Sequence, residues 1–157
     1  MHFLSEDLDQ FVCTHTSSES ELLDELNRRT NTEILRPRMI SGPFQGRVLS
    51  MLSHMIQPKN ILEIGTYTGY SALCLAEGMK PDGELITIDI NEELSYFSNS
   101  FFKRSNWAEN IKPRVGNAMD IVPEIDAKFD LVFIDADKVN YVNYYNLVID
   151  KMNKGGY

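Results

Sequence analysis

The 157-residue sequence contains only two cysteines, Cys13 and Cys74, and neither lies in a CxxC spacing. That excludes a disulfide framework and a cysteine-rich metal site, so both read as small buried apolar side chains in a reducing compartment. His2, His15 and His54 are scattered, with no i, i+4 pairing to suggest zinc. Long hydrophobic runs are also missing; LVFI at 131–134 is typical of the longest, far short of a membrane span. The opening MHFLSEDLDQFV turns acidic at once instead of running basic and then apolar, so the expectation is no secretory leader and a cytoplasmic location. Positive charge is scarce: 15 Lys and Arg against 23 Asp and Glu give a net charge of −8. Such a balance weighs against phosphate-driven binding to nucleic acid or anionic lipid. Internal repeats and low-complexity tracts are absent as well.

What is present suits one globular domain spanning 1–157, 43% hydrophobic and 24% charged. Residues 1–58 read as a helical lead-in. Ser17 or Ser18 can cap ESELLDELNRR, where Leu22, Leu23 and Leu26 form an apolar stripe. After the break RPRMISGPFQG, a second helical pattern runs through RVLSMLSHMI and stops at Pro58. From 59 to 157 the pattern alternates. ILEIG (61–65), ELITIDI (84–90), IKPRV (111–115) and FDLVFID (129–135) read as strands. SALCLAEGM, EELSYFSNSFFKRS and a weaker stretch before Phe129 read as helices between them. The expected fold is therefore α/β and Rossmann-like, a parallel sheet with helices on both faces and all strand C-termini on one edge. Phe101, Phe102 and Trp107 fit core packing, as do Tyr141, Tyr144 and Tyr145.

The first strand runs into Gly65-Thr66-Tyr67-Thr68-Gly69-Tyr70-Ser71. This is neither G-x-G-x-x-G nor G-x-x-x-x-G-K-[ST], so a dinucleotide and a P-loop phosphate both fit poorly. Glu63, two residues before the first glycine, would repel a pyrophosphate if it faced the site and would favour a cation. Asp89 closes the second strand, where a carboxylate accepts hydrogen bonds from a ribose diol. A cationic adenosine compound, S-adenosyl-L-methionine (SAM), meets both conditions. Further on, Asp135-Ala136-Asp137-Lys138 follows an apolar strand directly. Carboxylate oxygens there could hold a divalent cation that lowers the pKa of a bound phenol while a lysine takes its proton. The plainer reading is a solvated loop whose charges cap the next helix.

Several motifs in order, Met39-Ile40-Ser41 with Gln45-Gly46, EIGTYTGYS, DINEE, GNAMDIVP and FIDADKVNY, make the chain resemble the cation-dependent class I SAM O-methyltransferases, the group of the catechol and caffeoyl-CoA enzymes and bacterial relatives. The resemblance implies that Met39 and Ser41 contact the methionine end of the cofactor, and that Glu63, Gly65, Tyr67 and Ser71 line its amino-acid and sulfonium region. Asp89 would hold the ribose, and Ala118 and Met119 would border the adenine. Asp135 would be a metal ligand beside the cofactor, Asp137 a further cofactor neighbour, and Lys138 the base. Mg²⁺ is the default cation for such oxygen ligands, with Ca²⁺ or Mn²⁺ as alternatives. The implied activity is methyl transfer to a hydroxyl of a small catechol-like or phenolic acceptor by a homodimer. Alternatives are a transfer-RNA hydroxyuridine acceptor, or a non-catalytic SAM-binding or dimerisation module. The sequence stops at Lys154-Gly155-Gly156-Tyr157, where the resemblance implies a further strand ending in Asp-Asn with more metal ligands. Asp135 alone is therefore expected to bind a cation weakly, and the 131–134 strand to lie at an open sheet edge.

Overall fold

The computed structural model describes residues 5–157, so His2 falls outside the described residues. Helices α1 (Glu6–His15), α2 (Glu21–Glu33) and α3 (Gly42–Ile56) form the lead-in. Ser20, not Ser17 or Ser18, caps α2: its backbone is extended and its hydroxyl accepts from the Leu23 amide at 3.3 Å. Helix α3 starts at Gly42 inside the expected break, because Pro43 in a first turn loses no helical hydrogen bond. It ends where Gln57 turns left-handed (φ 50°) before Pro58. Leu23 and Leu26 are buried as the stripe predicts.

Four parallel strands follow, β1 (Asn60–Ile64), β2 (Glu84–Asp89), β3 (Ile111–Val115) and β4 (Leu131–Ile134), in the spatial order β3-β2-β1-β4. Side chains alternate across the sheet. Ile61, Leu85, Ile111 and Leu131 pack on one face with α2, α3, α4 (Tyr70–Ala76) and α5 (Ser95–Phe102). Leu62, Ile64, Ile86 and Ile88 pack on the other with α6 (Ala118–Glu124) and α7 (Tyr141–Val148). The chain winds outward from β1 through β2 to β3, then returns to lay β4 on the other side of β1. That reversal opens a crevice at the C-terminal ends of β1 and β4, the usual ligand position in doubly wound sheets.

Strand β4 is an edge strand, but its start is covered. Phe129 bridges to Met152, and the Tyr157 backbone donates to Asp130 O at 3.0 Å and accepts from the Val132 amide at 2.9 Å. Two packing expectations need correction. Cys74 is buried, but Cys13 is exposed on α1, as are Leu8 and Phe11 of the same helix. Tyr144 is buried, whereas Tyr145, one residue round the helix, is 57% exposed. Phe101 and Phe102 are core, and Trp107 packs against it.

Candidate cofactor-binding site

The glycine turn leaves β1 under tight steric control. The Gly65 amide donates to Ile88 O at 2.8 Å, and its φ of +111° suits only glycine. A Cβ at Gly65 would stand 2.6 Å from Asp135 O, and one at Gly69 (φ +90°) would stand 2.6 Å from the Phe102 ring. Tyr67 between them is itself left-handed (φ 47°), held by its amide donating to Asp89 Oδ2 at 2.7 Å. Asp89 Oδ1 accepts from the Asn91 amide at 2.9 Å. The carboxylate at the end of β2 is thus fixed by two backbone donors, with lone pairs left for a ligand.

Around this turn lies a cleft of about 1030 Å³. Of the residues singled out in the sequence, Met39, Ser41, Gly65, Tyr67, Ser71, Asp89, Ala118, Asp135 and Asp137 line it. Glu63, Met119 and Lys138 do not. Met119 follows Ala118 on α6 and is 37% exposed. Lys138 opens a short 3-10 turn, Lys138–Asn140, and is exposed.

Glu63 lies sealed beneath the turn, because β1 is covered on both faces. Its Oε2 accepts from the Thr87 hydroxyl at 2.5 Å, and Thr87 in turn lies 2.5 Å from the Thr66 hydroxyl. Oε1 is buried without a hydrogen-bond partner. Burial pushes the Glu63 pKa up to about 7, against the hydroxyls of Ser71 and Thr87 and with the help of Asp135 and Asp89. Between its ordinary value of 4.5 and about 7, the folded protein keeps a proton that the unfolded chain has lost. The contribution of this one group to stability is therefore fullest below pH 4.5 and declines by about 3 kcal/mol as pH rises to 7. Glu63→Gln should flatten this slope in urea titrations at pH 5, 6 and 7; a slope as steep as the parent's would place the proton elsewhere.

On the β4 side, Asp135 is exposed to the cleft, yet nearby protein strips enough water to raise its pKa against the pull of Lys138. Asp137 behaves oppositely. The Tyr144 hydroxyl donates to its Oδ1 at 2.6 Å and the Asn140 side-chain Nδ2 to its Oδ2 at 2.6 Å, which lowers its pKa. The same bond pushes the Tyr144 phenol up to about 12. In Tyr144→Phe, the Asp137 carboxyl should titrate at higher pH by carbon-detected NMR; an unmoved titration would remove Tyr144 as its holder. Tyr144 and Asn140 were not singled out for this role, because Asp137 precedes the 3-10 turn Lys138–Asn140 and shares no helix with Tyr144. Thr87 was missed because its link to Glu63 is a register pairing between strands. Among the described residues, no group of three or more His, Cys, Asp or Glu side chains is set to hold a metal ion. Asp135 and Asp137 both line the cleft, and a hard cation calls for more oxygen ligands than these two carboxylates.

Comparison with known proteins agrees with this geometry. TomG, an O-methyltransferase of Streptomyces achromogenes solved in complex with SAM, superposes with a TM-score of 0.89 at 30% identity over 98% of this chain and 72% of that one. The SAH-bound methyltransferase PaMTH1 of Podospora anserina gives 0.90 at 27% identity over 96% and 66%. The caffeoyl-CoA O-methyltransferase of Stellaria longipes is 32% identical over 97% of this chain and 66% of its own length. Caffeoyl-CoA O-methyltransferase 1 of Arabidopsis thaliana is 33% identical, over 97% and 61%. The chain thus spans less than two thirds of the length of these curated relatives. The O-methyltransferase family profile matches residues 13–157, over the turn, the cleft and all four strands, and the chain belongs to that family.

Proposed function

We propose that the cleft binds S-adenosyl-L-methionine and that the protein transfers its methyl group to a hydroxyl of a small phenolic acceptor. The observation that carries this reading is Asp89, fixed at the cleft by the Tyr67 and Asn91 amides beside a glycine turn that the main chain alone can occupy. A carboxylate held there with lone pairs to spare suits the ribose diol of the cofactor. Asp89 takes the ribose, Gly65 lets the main chain approach closely, and Ser41, Tyr67 and Ser71 surround the methionine portion. When bound, this cofactor supplies an electrophilic methyl group. Asp137, held by Tyr144 and Asn140, orients the same end. Lys138 adjoins the cleft and is the group we assign to receive the proton of the acceptor hydroxyl as it becomes a nucleophile.

The sequence also raised a divalent cation at Asp135. Asp135 and Asp137 do not complete such a site, so no step is routed through it. Calorimetric titration with SAM, followed by a methyl-transfer assay on catechol with and without Mg²⁺, tests the reading. One-to-one binding with transfer supports it. Failure to bind SAM beside clear binding of NAD would overturn it. Binding without transfer at any Mg²⁺ concentration would favour a non-catalytic SAM-binding module, a reading consistent with the incomplete ligand set at Asp135 and Asp137.

A further inference from the structure

Seven arginines occur in a chain with 23 Asp and Glu, and carboxylate partners are not in short supply. Arg28 pairs with Asp24, Arg29 with Glu33, Arg47 with Glu77 and Arg104 with Glu25. Arg36 lines the cleft yet forms no ion pair among the described residues. Glu33, the nearest carboxylate in sequence and also on the cleft wall, is already held by Arg29 through two bonds of 2.8 and 2.9 Å. Across the cleft lining, Asp89 is taken by the Tyr67 and Asn91 amides, and Asp137 by Tyr144 and Asn140.

The backbone of Arg36 is held in place as well. It is left-handed (φ 60°, ψ 49°) and precedes Pro37, which fixes the next φ. Its carbonyl accepts from the Tyr67 hydroxyl at 3.1 Å, and the Leu35 carbonyl accepts from the same hydroxyl at 3.2 Å. Tyr67 belongs to the glycine turn, so this residue pins the base of Arg36 beside the place where the ligand must lie. A left-handed non-glycine residue costs on the order of 1 kcal/mol, and surrounding contacts must hold it there. A guanidinium offers a planar fork of donors matched to a carboxylate.

We infer that Arg36 is a ligand-binding residue of the cleft that receives a carboxylate. This rests on the proposed cofactor reading, because two molecules in that reaction can bring the group. One is the amino-acid portion of the cofactor, and the other is an acceptor that is itself a phenolic acid.

The test compares ratios of affinity within one protein, so a general loss of fold cancels. Calorimetry on the parent, Arg36→Gln and Arg36→Lys would measure S-adenosylhomocysteine against 5′-methylthioadenosine, which lacks the carboxylate. A second series, on protein saturated with S-adenosylhomocysteine, would measure 3,4-dihydroxybenzoate against catechol. Loss of a charge-assisted bidentate contact weakens binding on the order of 10- to 100-fold. In Arg36→Gln one of the two ratios should fall at least tenfold, with partial recovery in Arg36→Lys. A fall in the first ratio assigns Arg36 to the cofactor, and a fall in the second assigns it to an acidic acceptor. If neither acceptor binds, the first ratio decides alone. Unchanged ratios in a parent that binds S-adenosylhomocysteine overturn the inference and leave the cofactor reading intact. A parent that binds no S-adenosylhomocysteine overturns both.

Discussion

Gly65→Ala is expected to abolish cofactor binding and to destabilise the fold by on the order of 3 kcal/mol. Two costs combine at that position. A φ of +111° lies outside the regions open to an L-residue, so the alanine is strained wherever it sits. The new Cβ would also meet Asp135 O at 2.6 Å and Asp135 C at 2.8 Å, both main-chain atoms that cannot swing away as a side chain would. Relief requires β1 and β4 to part at their C-terminal ends, which is where the cleft opens. Gly155→Ala supplies the comparison, because Gly155 has a φ of +84° but open space around its missing Cβ. It should show the backbone strain alone. Urea denaturation of both variants, with S-adenosylhomocysteine calorimetry, separates the effects. Equal losses of stability would show that the approach to Asp135 has no energetic weight.

The second large effect is expected at Asp89. Asp89→Ala removes the acceptor for the amides of Tyr67 and Asn91 and the proposed ribose contact. Hydrogen bonds to a charged acceptor contribute about 1.5–3 kcal/mol each, so loss of the ribose contact should weaken S-adenosylhomocysteine binding by about 100-fold. Release of the Tyr67 amide would also free a left-handed residue in the turn. The ribose role is isolated by a 2′-deoxy analogue of S-adenosylhomocysteine. The parent should discriminate strongly between the two ligands and Asp89→Ala should not. A variant that kept the parent's discrimination would leave Asp89 with the turn and remove it from the ribose.

Much of this was readable from residue order. The four strands stand out because apolar β-branched runs are bounded by polar turns, and their alternation fixes which residues face which helix layer. The glycine spacing together with Asp89 pointed to the ligand class, since it depends on residues close in sequence or at strand ends. What stayed hidden depends on packing. Ser17, Ser18 and Ser20 are equivalent caps in composition, and the helix start at Glu21, with the Leu23 amide donating to the Ser20 hydroxyl, selects one of them. Glu63 looked like a cleft residue because its position says nothing of how many layers cover β1. The hold on Asp137 by Tyr144 and Asn140 required a short 3-10 turn between them, which side-chain periodicity does not announce.

The sealed Glu63 has a consequence for the heat of ligand binding. With its pKa raised by burial to about 7, this side chain exchanges a proton with solvent in the neutral range. A cation entering the cleft above it favours the ionised form, so part of a proton must leave the protein for each ligand bound. That proton is taken up by the buffer. Calorimetric enthalpies in phosphate and in Tris should therefore differ by a fraction of the difference in buffer ionisation heats, and the gap should close well above pH 7.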